Sequence, residues 1–205
     1  KLRNAKDPVL YLRDPDGLPR HLRRGMIDGL GELNQMRLQQ SGDPEIETRI
    51  QQYEMAYRMQ MSVPELTDMS EETEETYELY GPDSKKPGTF AYSALMARRL
   101  AERGVRFTQI FHRGWDQHLN LDRELRAQSM DTDQPSAALV SDLARLGLLE
   151  DTLVVWGGEF GRSPDAQSPT GGRDHHNLGF SMWMAGGGIR GGQVVGATDA
   201  IGLKA

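Results

Sequence analysis

The sequence contains no cysteine, which excludes both a disulfide framework and a metal site built on thiolates. It also lacks any apolar run of the roughly 20 residues that a membrane-spanning helix needs, so no membrane span is predicted. Acidic residues outnumber basic ones, 30 to 24, which gives a formal net charge of −6, and the one basic cluster, at residues 20–24, is short. A nucleic-acid partner is therefore not expected. These absences leave a globular chain of ordinary composition.

The first part of the sequence, residues 1–88, is predicted to be mainly helical. Apolar residues recur at close to the helical period over residues 21–40. Residues 43–45, Asp-Pro-Glu, combine an N-cap residue, a proline suited to the first helical position and an acid for the first turn. They predict the start of a second helix. Residues 8–12 form a short apolar run that fits either a strand or an extended arm.

From residue 89 to residue 205 helical and strand patterns alternate, which predicts an α/β fold. One helix is predicted over residues 90–103, and another is predicted to begin at Pro135. Strands are predicted at residues 105–111, 152–156 and 180–185. Residues 153–156 of the second strand are apolar throughout, as expected of a strand in a parallel sheet with helices on both faces. Together with the helical segment, this layered sheet would form one incomplete domain.

Two loops that follow predicted strands carry most of the residues suited to chemistry. The WDQH loop, residues 115–118, follows the predicted strand at 105–111. The longer loop EFGRSPDAQSPTGGRDHH, residues 159–176, follows the strand at 152–156. Loops after buried parallel strands are where α/β proteins commonly place their sites. We therefore expect the scaffold to bring these two loops together.

Asp116 and His118 are the candidate residues of the WDQH loop. They lie two residues apart at a predicted strand end, so both side chains point the same way and can reach one cation. Imidazole and carboxylate ligands suit zinc and its neighbours. The alternative is an Asp–His hydrogen bond at a surface turn, and the spacing alone does not separate the two.

Glu159 and Arg162 are the candidates at the start of the longer loop. Two glycines before Glu159 allow the backbone to turn sharply after the strand. Glu159 could be a metal ligand, a general base or a partner in a helix cap. Arg162 could hold an anionic substrate with its planar guanidinium, or it could simply pair with Glu159.

The GRDHH segment, residues 172–176, is the strongest local signal, since the protein has only 5 histidines and two of them are adjacent here. One of them could bind a metal while Asp174 orients it; a hydrogen-bonded surface histidine is the alternative for each. The glycine-rich stretch at residues 186–192 is not followed by an amphipathic helix, so it lacks the context of a phosphate-binding loop. Ser163 and Ser181 lack the setting of a nucleophile elbow.

Six long segments carry a family resemblance. They are YEMAYRMQMSVPEL (53–66), ARRLAERGVRF (97–107), GWDQH (114–118), LGLLEDTLVVWGGEFGRS (146–163), GRDHH (172–176) and AGGGIRGGQVVGATD (185–199). They resemble the bacterial family catalogued as domain of unknown function 1501, and the resemblance covers nearly the whole chain. That family is generally placed in the alkaline phosphatase and sulfatase superfamily. Its members are usually described as exported, which implies a periplasmic or extracellular protein.

The resemblance implies that this chain is the C-terminal half of an alkaline-phosphatase-like domain. It also implies metal-dependent hydrolysis of a phosphate or sulfate ester, small-molecule or glycan, by the intact protein. The implied cofactor is a divalent metal pair, zinc first, with manganese and calcium as alternatives. The implied metal ligands are Asp116, His118, Glu159 and His175. The implied supporting residues are Asp174 and His176, and the residues implied to stabilise the anionic transition state are Arg162 and Arg173.

The chain departs from the superfamily pattern at the site itself. The pair Asp116 and His118 is more tightly spaced than in the superfamily. Phe160 stands where a histidine normally follows the second acid, which argues against a complete two-metal site. The nucleophile is expected in an N-terminal remainder of the same chain. The alternative function is an exported binding or scaffold protein that keeps the fold and has lost catalysis.

Overall fold

The computed structural model describes residues 17–167, 169 and 171–204, and for residues 59–61 and 64 it describes the backbone alone. The arm or strand predicted at residues 8–12 lies outside the described residues. The chain divides into two compact units, Lys1–Glu71 and Glu72–Ala205. The change from helical to mixed patterns predicted at residue 88 falls inside the second unit. None of the helices in the described ranges combines the length and the hydrophobicity that crossing a bilayer requires.

The first unit contains the two helices that the sequence pattern predicts. Helix α1 spans Arg20–Ser41 and helix α2 spans Pro44–Thr67. Between them Gly42 adopts a φ of 66°, which glycine reaches without strain. The side chain of Asp43 accepts a hydrogen bond of 2.9 Å from the backbone N–H of Glu45 and so caps α2. Both predicted helices are confirmed.

The second unit is built on three helices around a small apolar core. Helix α3 spans Glu74–Tyr80, helix α4 spans Phe90–Glu102 and helix α5 spans Leu121–Arg145. The hydroxyls of the N-cap threonines of α3 and α4 accept backbone hydrogen bonds from the first turn of each helix. The most deeply buried large apolar side chains of this unit are Tyr80, Leu95 and Leu143.

Helix α5 corrects one prediction. The sequence pattern places a helix start at Pro135, because proline suits the first helical position. In the structure the helix begins at Leu121 and Pro135 lies inside it, buried. A proline within a helix removes one hydrogen bond and costs about 3 kcal/mol. Buried residues on both sides of it, Thr132 and Ala138, show the packing that offsets this cost.

A cluster of buried charges also lies among these helices. Nε of Arg98 on α4 lies 3.0 Å from Oδ2 of Asp142 on α5, and its Nη1 lies 2.5 Å from Glu102. Arg98 and Arg99 bind the two carboxylate oxygens of Glu72. Burial alone would raise the pKa of Glu72, but the hydrogen bonds from Arg99 and Arg98 hold it below its usual value.

The strands of the second unit form two small antiparallel sheets. Strand β1, Leu153–Gly157, pairs with strand β4, Met182–Gly186. Strand β2, Gly161–Arg162, pairs with strand β3, His175–His176. The unit is therefore a mixture of helix and strand, consistent with the predicted α/β class. A layered parallel sheet with helices on both faces is not present among the described residues.

Two predictions about strands are corrected. Residues 105–111 do not form a strand, and Phe107 and Phe111 are 79% and 78% exposed. Residues 153–156 do form a strand, but it pairs antiparallel with one neighbour, and Leu153 stays half-exposed. A strand pattern becomes a strand only where a second backbone takes up its hydrogen bonds. Within the described ranges residues 105–111 have no such partner.

Candidate metal centre

The WDQH loop is held against β1 by a row of aromatic rings. Nε1 of Trp115 donates a hydrogen bond of 2.9 Å to Nδ1 of His112. The ring of Trp115 meets that of Trp156 edge to face, with centroids 5.8 Å apart, and Trp156 stacks on Trp183 of β4 at 6.4 Å. Such aromatic pairs contribute about 0.5–1.5 kcal/mol each beyond their buried area. These contacts fix the backbone immediately before Asp116.

The GRDHH segment lies with its backbone directly against the WDQH loop. The backbone N–H of Arg173 donates a hydrogen bond of 3.0 Å to the carbonyl oxygen of Gln117. Gly172 approaches so closely that a Cβ atom there would lie 1.7 Å from the carbonyl oxygen of His118. Glycine is needed at this position because the two backbones touch. Strand β3 follows at once and begins with His175.

Three of the four predicted metal ligands converge on one point. Oδ1 of Asp116 lies 2.8 Å from Nε2 of His175, a residue 59 positions away in the chain, and 3.0 Å from Nε2 of His118. The candidate ligand atoms of the three residues all lie within 4.8 Å of one another. In the described part of the chain no other group of three such side chains meets in this way.

Arg162 adds a positive charge to this cluster. Its Nη1 donates a hydrogen bond of 2.9 Å to Oδ1 of Asp116, and its Nη2 donates one of 2.9 Å to the carbonyl oxygen of Trp115. Hydrogen bonds from His175 and then from Arg162 lower the pKa of Asp116 to about 2. The carboxylate is therefore ionised throughout the neutral range, and the ionised form is the one that binds cations.

The cluster is open to solvent on one side and packed on the other. The side chain of Asp116 is 64% exposed, that of His118 is 36% exposed and that of His175 is 47% exposed. The two imidazole rings touch, with centroids 4.8 Å apart, and the ring of Phe160 lies 4.7 Å from that of His175. Packing thus holds the rings while the outer side stays accessible to a small ligand.

The fourth predicted ligand, Glu159, lies outside the cluster. Its Oε1 is 3.5 Å from Nη2 of Arg162, and its side chain is exposed. Of the interpretations that the sequence left open for these two residues, the structure displays the ion pair. Glu159 therefore helps to hold the guanidinium of Arg162 from the side away from its hydrogen bond to Asp116.

The other residues of the GRDHH segment surround the cluster in different ways. Oδ1 of Asp174 accepts a hydrogen bond of 2.7 Å from the backbone N–H of His175, so it fixes the main chain of that residue and not its ring. His176 follows on β3, where neighbouring side chains point to opposite faces. Its Nε2 is buried with no hydrogen-bond partner among the described residues. The guanidinium of Arg173 likewise has no partner within those ranges.

Sequence reasoning missed Gln167. Its Oε1 lies 2.7 Å from Nδ1 of His118, across 49 positions of sequence. An amide neither titrates nor commonly binds zinc, so no residue pattern distinguishes this glutamine from any other in the loop. His112 was also missed; its Nδ1 accepts the hydrogen bond from Trp115, three residues further on. Each residue is revealed only by the side chain that it contacts in the structure.

The donor set fits a divalent transition-metal ion. Two imidazole nitrogens and one carboxylate oxygen with open positions are typical of catalytic zinc sites, whereas calcium prefers oxygen ligands alone. When Nδ1 of His118 donates to Oε1 of Gln167, 2.7 Å away, Nε2 keeps a lone pair on the side of Oδ1 of Asp116, which lies 3.0 Å away. A cation would satisfy both of these acceptors. The three residues are therefore suited to hold a metal.

Fold and site together define a mixed α/β chain with a histidine–carboxylate cluster of metal-binding type. The model of the family described as "Protein of unknown function (DUF1501)" matches residues 1–205, so the chain belongs to this family. The family resemblance of its sequence motifs is thereby confirmed. No curated protein and no solved structure matches the chain. Its function has to be argued from the site.

Proposed function

We propose that the intact protein is a metal-dependent hydrolase of phosphate or sulfate esters. The convergence of Asp116, His118 and His175, with Arg162 held 2.9 Å from Asp116, carries the proposal. A cation beside a guanidinium suits a tetrahedral oxyanion, because the planar fork of arginine can hydrogen-bond two of its oxygens. The two histidines and the aspartate would hold the cation, with zinc favoured over manganese and calcium by the imidazole nitrogens.

The roles of the side chains follow from their contacts. A divalent cation bound here would supply Lewis-acid stabilisation to the negative charge that develops in ester hydrolysis. The Nη2 hydrogen bond from Arg162 to the Trp115 carbonyl does not depend on Asp116. Nη1 can therefore exchange Asp116 for a substrate oxygen while the guanidinium stays in place. Arg173, whose backbone is bound to the WDQH loop, is assigned as a second anion-binding group.

The proposal assigns one cation to the described residues. Glu159 orients Arg162 in this assignment, and it would become a ligand only if that ion pair opened. Asp174 supports the backbone of His175, and His176 supports β3 from the opposite face. A second cation, as in a two-metal plan, would need donors beyond these residues.

The proposal extends to the alkaline phosphatase and sulfatase superfamily and its layered sheet. One observation supports such a layer: Leu153, Val155 and Met184 are half-exposed on one face of the β1–β4 sheet, where a covering layer would bury them. The covering chain would be the N-terminal remainder of the same protein, which would also supply the nucleophile. Export to the periplasm or the cell exterior, and a small-molecule or glycan ester as substrate, rest on the family resemblance.

A second candidate function is an exported binding or scaffold protein that keeps the fold and has lost catalysis. One observation favours it. The hydroxyl of Ser163, which lies on the loop of the site, donates to the carbonyl oxygen of Asp165 and accepts from the backbone N–H of Asp174, both at 3.0 Å. This hydroxyl is therefore engaged by the loop itself, so without a nucleophile from the rest of the protein the site could bind an ester but not hydrolyse it.

The first test is metal binding by the chain, purified without chelator and then supplied with zinc, manganese or calcium. We expect a bound ion by elemental analysis and an affinity at least about 100-fold weaker in His175→Ala, since loss of a direct ligand should exceed the 10–100-fold effect of losing an outer partner. His176→Ala, the neighbouring imidazole on the other face of β3, is the matched control and should retain the metal. A parent protein that binds none of the three ions would overturn the proposal.

The second test separates the hydrolase from the binding protein. Inorganic phosphate and sulfate are titrated into the metal-loaded protein by calorimetry. Arg162→Ala should weaken anion binding by roughly 10–100-fold, the value of one charge-assisted hydrogen bond, and should leave the metal bound. Turnover of 4-nitrophenyl phosphate or sulfate by the full-length protein, lost in His175→Ala, supports the hydrolase. Metal binding with no anion affinity and no turnover supports the second candidate.

A further inference from the structure

We infer that Gln167 is a positioning residue that fixes the ring orientation of His118. Its Oε1 lies 2.7 Å from Nδ1 of His118. Where it concerns metal binding, this inference rests on the proposed function. Where it concerns the imidazole of the metal-free protein, it stands independently of that function.

Gln167 is held in place by the same segment that holds His118. The backbone N–H of Gln167 donates a hydrogen bond of 2.8 Å to the carbonyl oxygen of Gly172. Gly172 in turn is in direct contact with the backbone of His118, since a Cβ atom there would overlap its carbonyl group. The main chain and the ring of His118 are therefore anchored to one short stretch of the loop. A shift of that stretch would move both together.

The amide contacts Nδ1 of His118 and so leaves the other ring nitrogen to the cluster. Oε1 of Gln167 only accepts hydrogen bonds, so it suits a ring that donates through Nδ1. Nε2 then lies on the side of Asp116, 3.0 Å from its Oδ1, where a cation between the two atoms would bind. Histidines that bind metals commonly donate their other N–H to such an acceptor, which fixes the ring and raises its basicity.

The effect should be specific to His118. His175 approaches Asp116 through Nε2 as well, at 2.8 Å, but its Nδ1 has no hydrogen-bond partner in the part of the chain that the structure describes. The packing of Phe160 against its ring, with centroids 4.7 Å apart, orients it instead. One imidazole of the cluster is thus oriented by a hydrogen bond and the other by an aromatic contact. Removing the amide should disturb the first and spare the second.

The experiment compares the parent chain with Gln167→Leu, Gln167→Glu and the control Gln193→Leu. The control makes the same chemical change at an exposed residue of the same unit. NMR of the metal-free protein reports the orientation of the His118 ring through nuclear Overhauser contacts between its ring protons and those of His175, since the two ring centroids are 4.8 Å apart. We expect these contacts in the parent, in Gln167→Glu and in the control, and their loss in Gln167→Leu.

The second readout is zinc affinity by competition with a chromophoric chelator. We expect Gln167→Leu to bind zinc about 10–100-fold more weakly, Gln167→Glu to bind at least as tightly as the parent, and the control to be unchanged. A parent His118 without these ring contacts, or a Gln167→Leu variant that matches the control in both readouts, overturns the inference. If the ring contacts respond as expected but the parent binds no metal, the proposed function fails and the positioning role of Gln167 stands.

Discussion

Replacing Asp142 with alanine tests whether the buried charge cluster stabilises the second unit. The carboxylate of Asp142 is 1% exposed and lies 3.0 Å from Nε of Arg98, which is itself 6% exposed. It also accepts hydrogen bonds from Arg145 at 2.6 and 3.0 Å, and from the hydroxyl of Tyr80 at 3.4 Å. Removing it leaves a buried guanidinium with one negative partner fewer, where water has little access.

The expected loss can be worked from these contacts. Deleting one partner of a buried ion pair costs about 3–5 kcal/mol, and the lower end applies because Arg98 keeps Glu72 and Glu102. The buried hydroxyl of Tyr80 loses its acceptor and adds about 1 kcal/mol. Arg145 is mostly exposed and turns to solvent at little cost. The sum of about 4 kcal/mol corresponds to a fall in Tm of roughly 8–16 °C for a chain of this size.

Urea denaturation followed by circular dichroism, with thermal melting beside it, measures this loss. Asp133→Ala is the matched control: it removes an exposed aspartate from the same helix and should change the free energy of unfolding by less than about 0.5 kcal/mol. Adding Arg98→Met to Asp142→Ala should cost less than the sum of the two single changes, because each single change already removes the contact between the two side chains. A loss for Asp142→Ala within about 1 kcal/mol of the control would refute the reasoning.

Two further predictions concern the loss of folding stability at acid pH and the contact of Gly172 with the WDQH loop. The pKa of Glu72 is lowered in the folded state, so its contribution to stability is present above the unfolded pKa of about 4.3 and is lost as the pH falls through the lower folded pKa. Urea midpoints measured down to about pH 3 should therefore decline less steeply in Glu72→Gln than in the parent. Parallel curves for the two proteins would contradict this. Gly172→Ala should weaken metal binding about tenfold or more, because its Cβ would lie 1.7 Å from the carbonyl oxygen of His118 and force the loops apart. Gly191→Ala, whose Cβ would have no atom within 4 Å, is the control, and equal metal affinities in the two variants would show that the loops tolerate the change.

Local features of the fold could be predicted from the sequence, because their causes are local. The start of α2 is one example, since the cap by Asp43 and the adjoining proline act within one turn of the helix. The strand predicted at residues 105–111 is the counterexample. Its composition favours a strand, but a strand also needs a second backbone, and no residue pattern within the segment supplies one. The predicted helix start at Pro135 was wrong for a related reason. Whether a proline begins a helix or lies inside it depends on the burial of its neighbours, which is a tertiary feature.

In the candidate site, too, the residue types could be predicted from the sequence and the tertiary contacts could not. Asp116, His118 and His175 could be identified because the chain has few histidines and because imidazole and carboxylate groups are common metal ligands. That they lie within 4.8 Å of one another depends on the glycine contact and the short β2–β3 pairing, which are tertiary features. Gln167 could not be identified, because its role exists only through the position of the ring that it contacts.

Phe160 connects the composition of the cluster to the number of cations that it can hold. The superfamily resemblance implies a histidine at this position, where it would bind a second metal. Phenylalanine offers no donor atom; its ring packs against His175 instead, with centroids 4.7 Å apart. The positive charge that a second cation would bring to an oxyanion is then left to Arg162, whose guanidinium already lies 2.9 Å from Asp116 and is tethered to the Trp115 carbonyl. On the proposed function, an anion at this site would therefore meet one metal and Arg162, with Arg173 as the second guanidinium, and these guanidinium groups stay in place even when the metal has left.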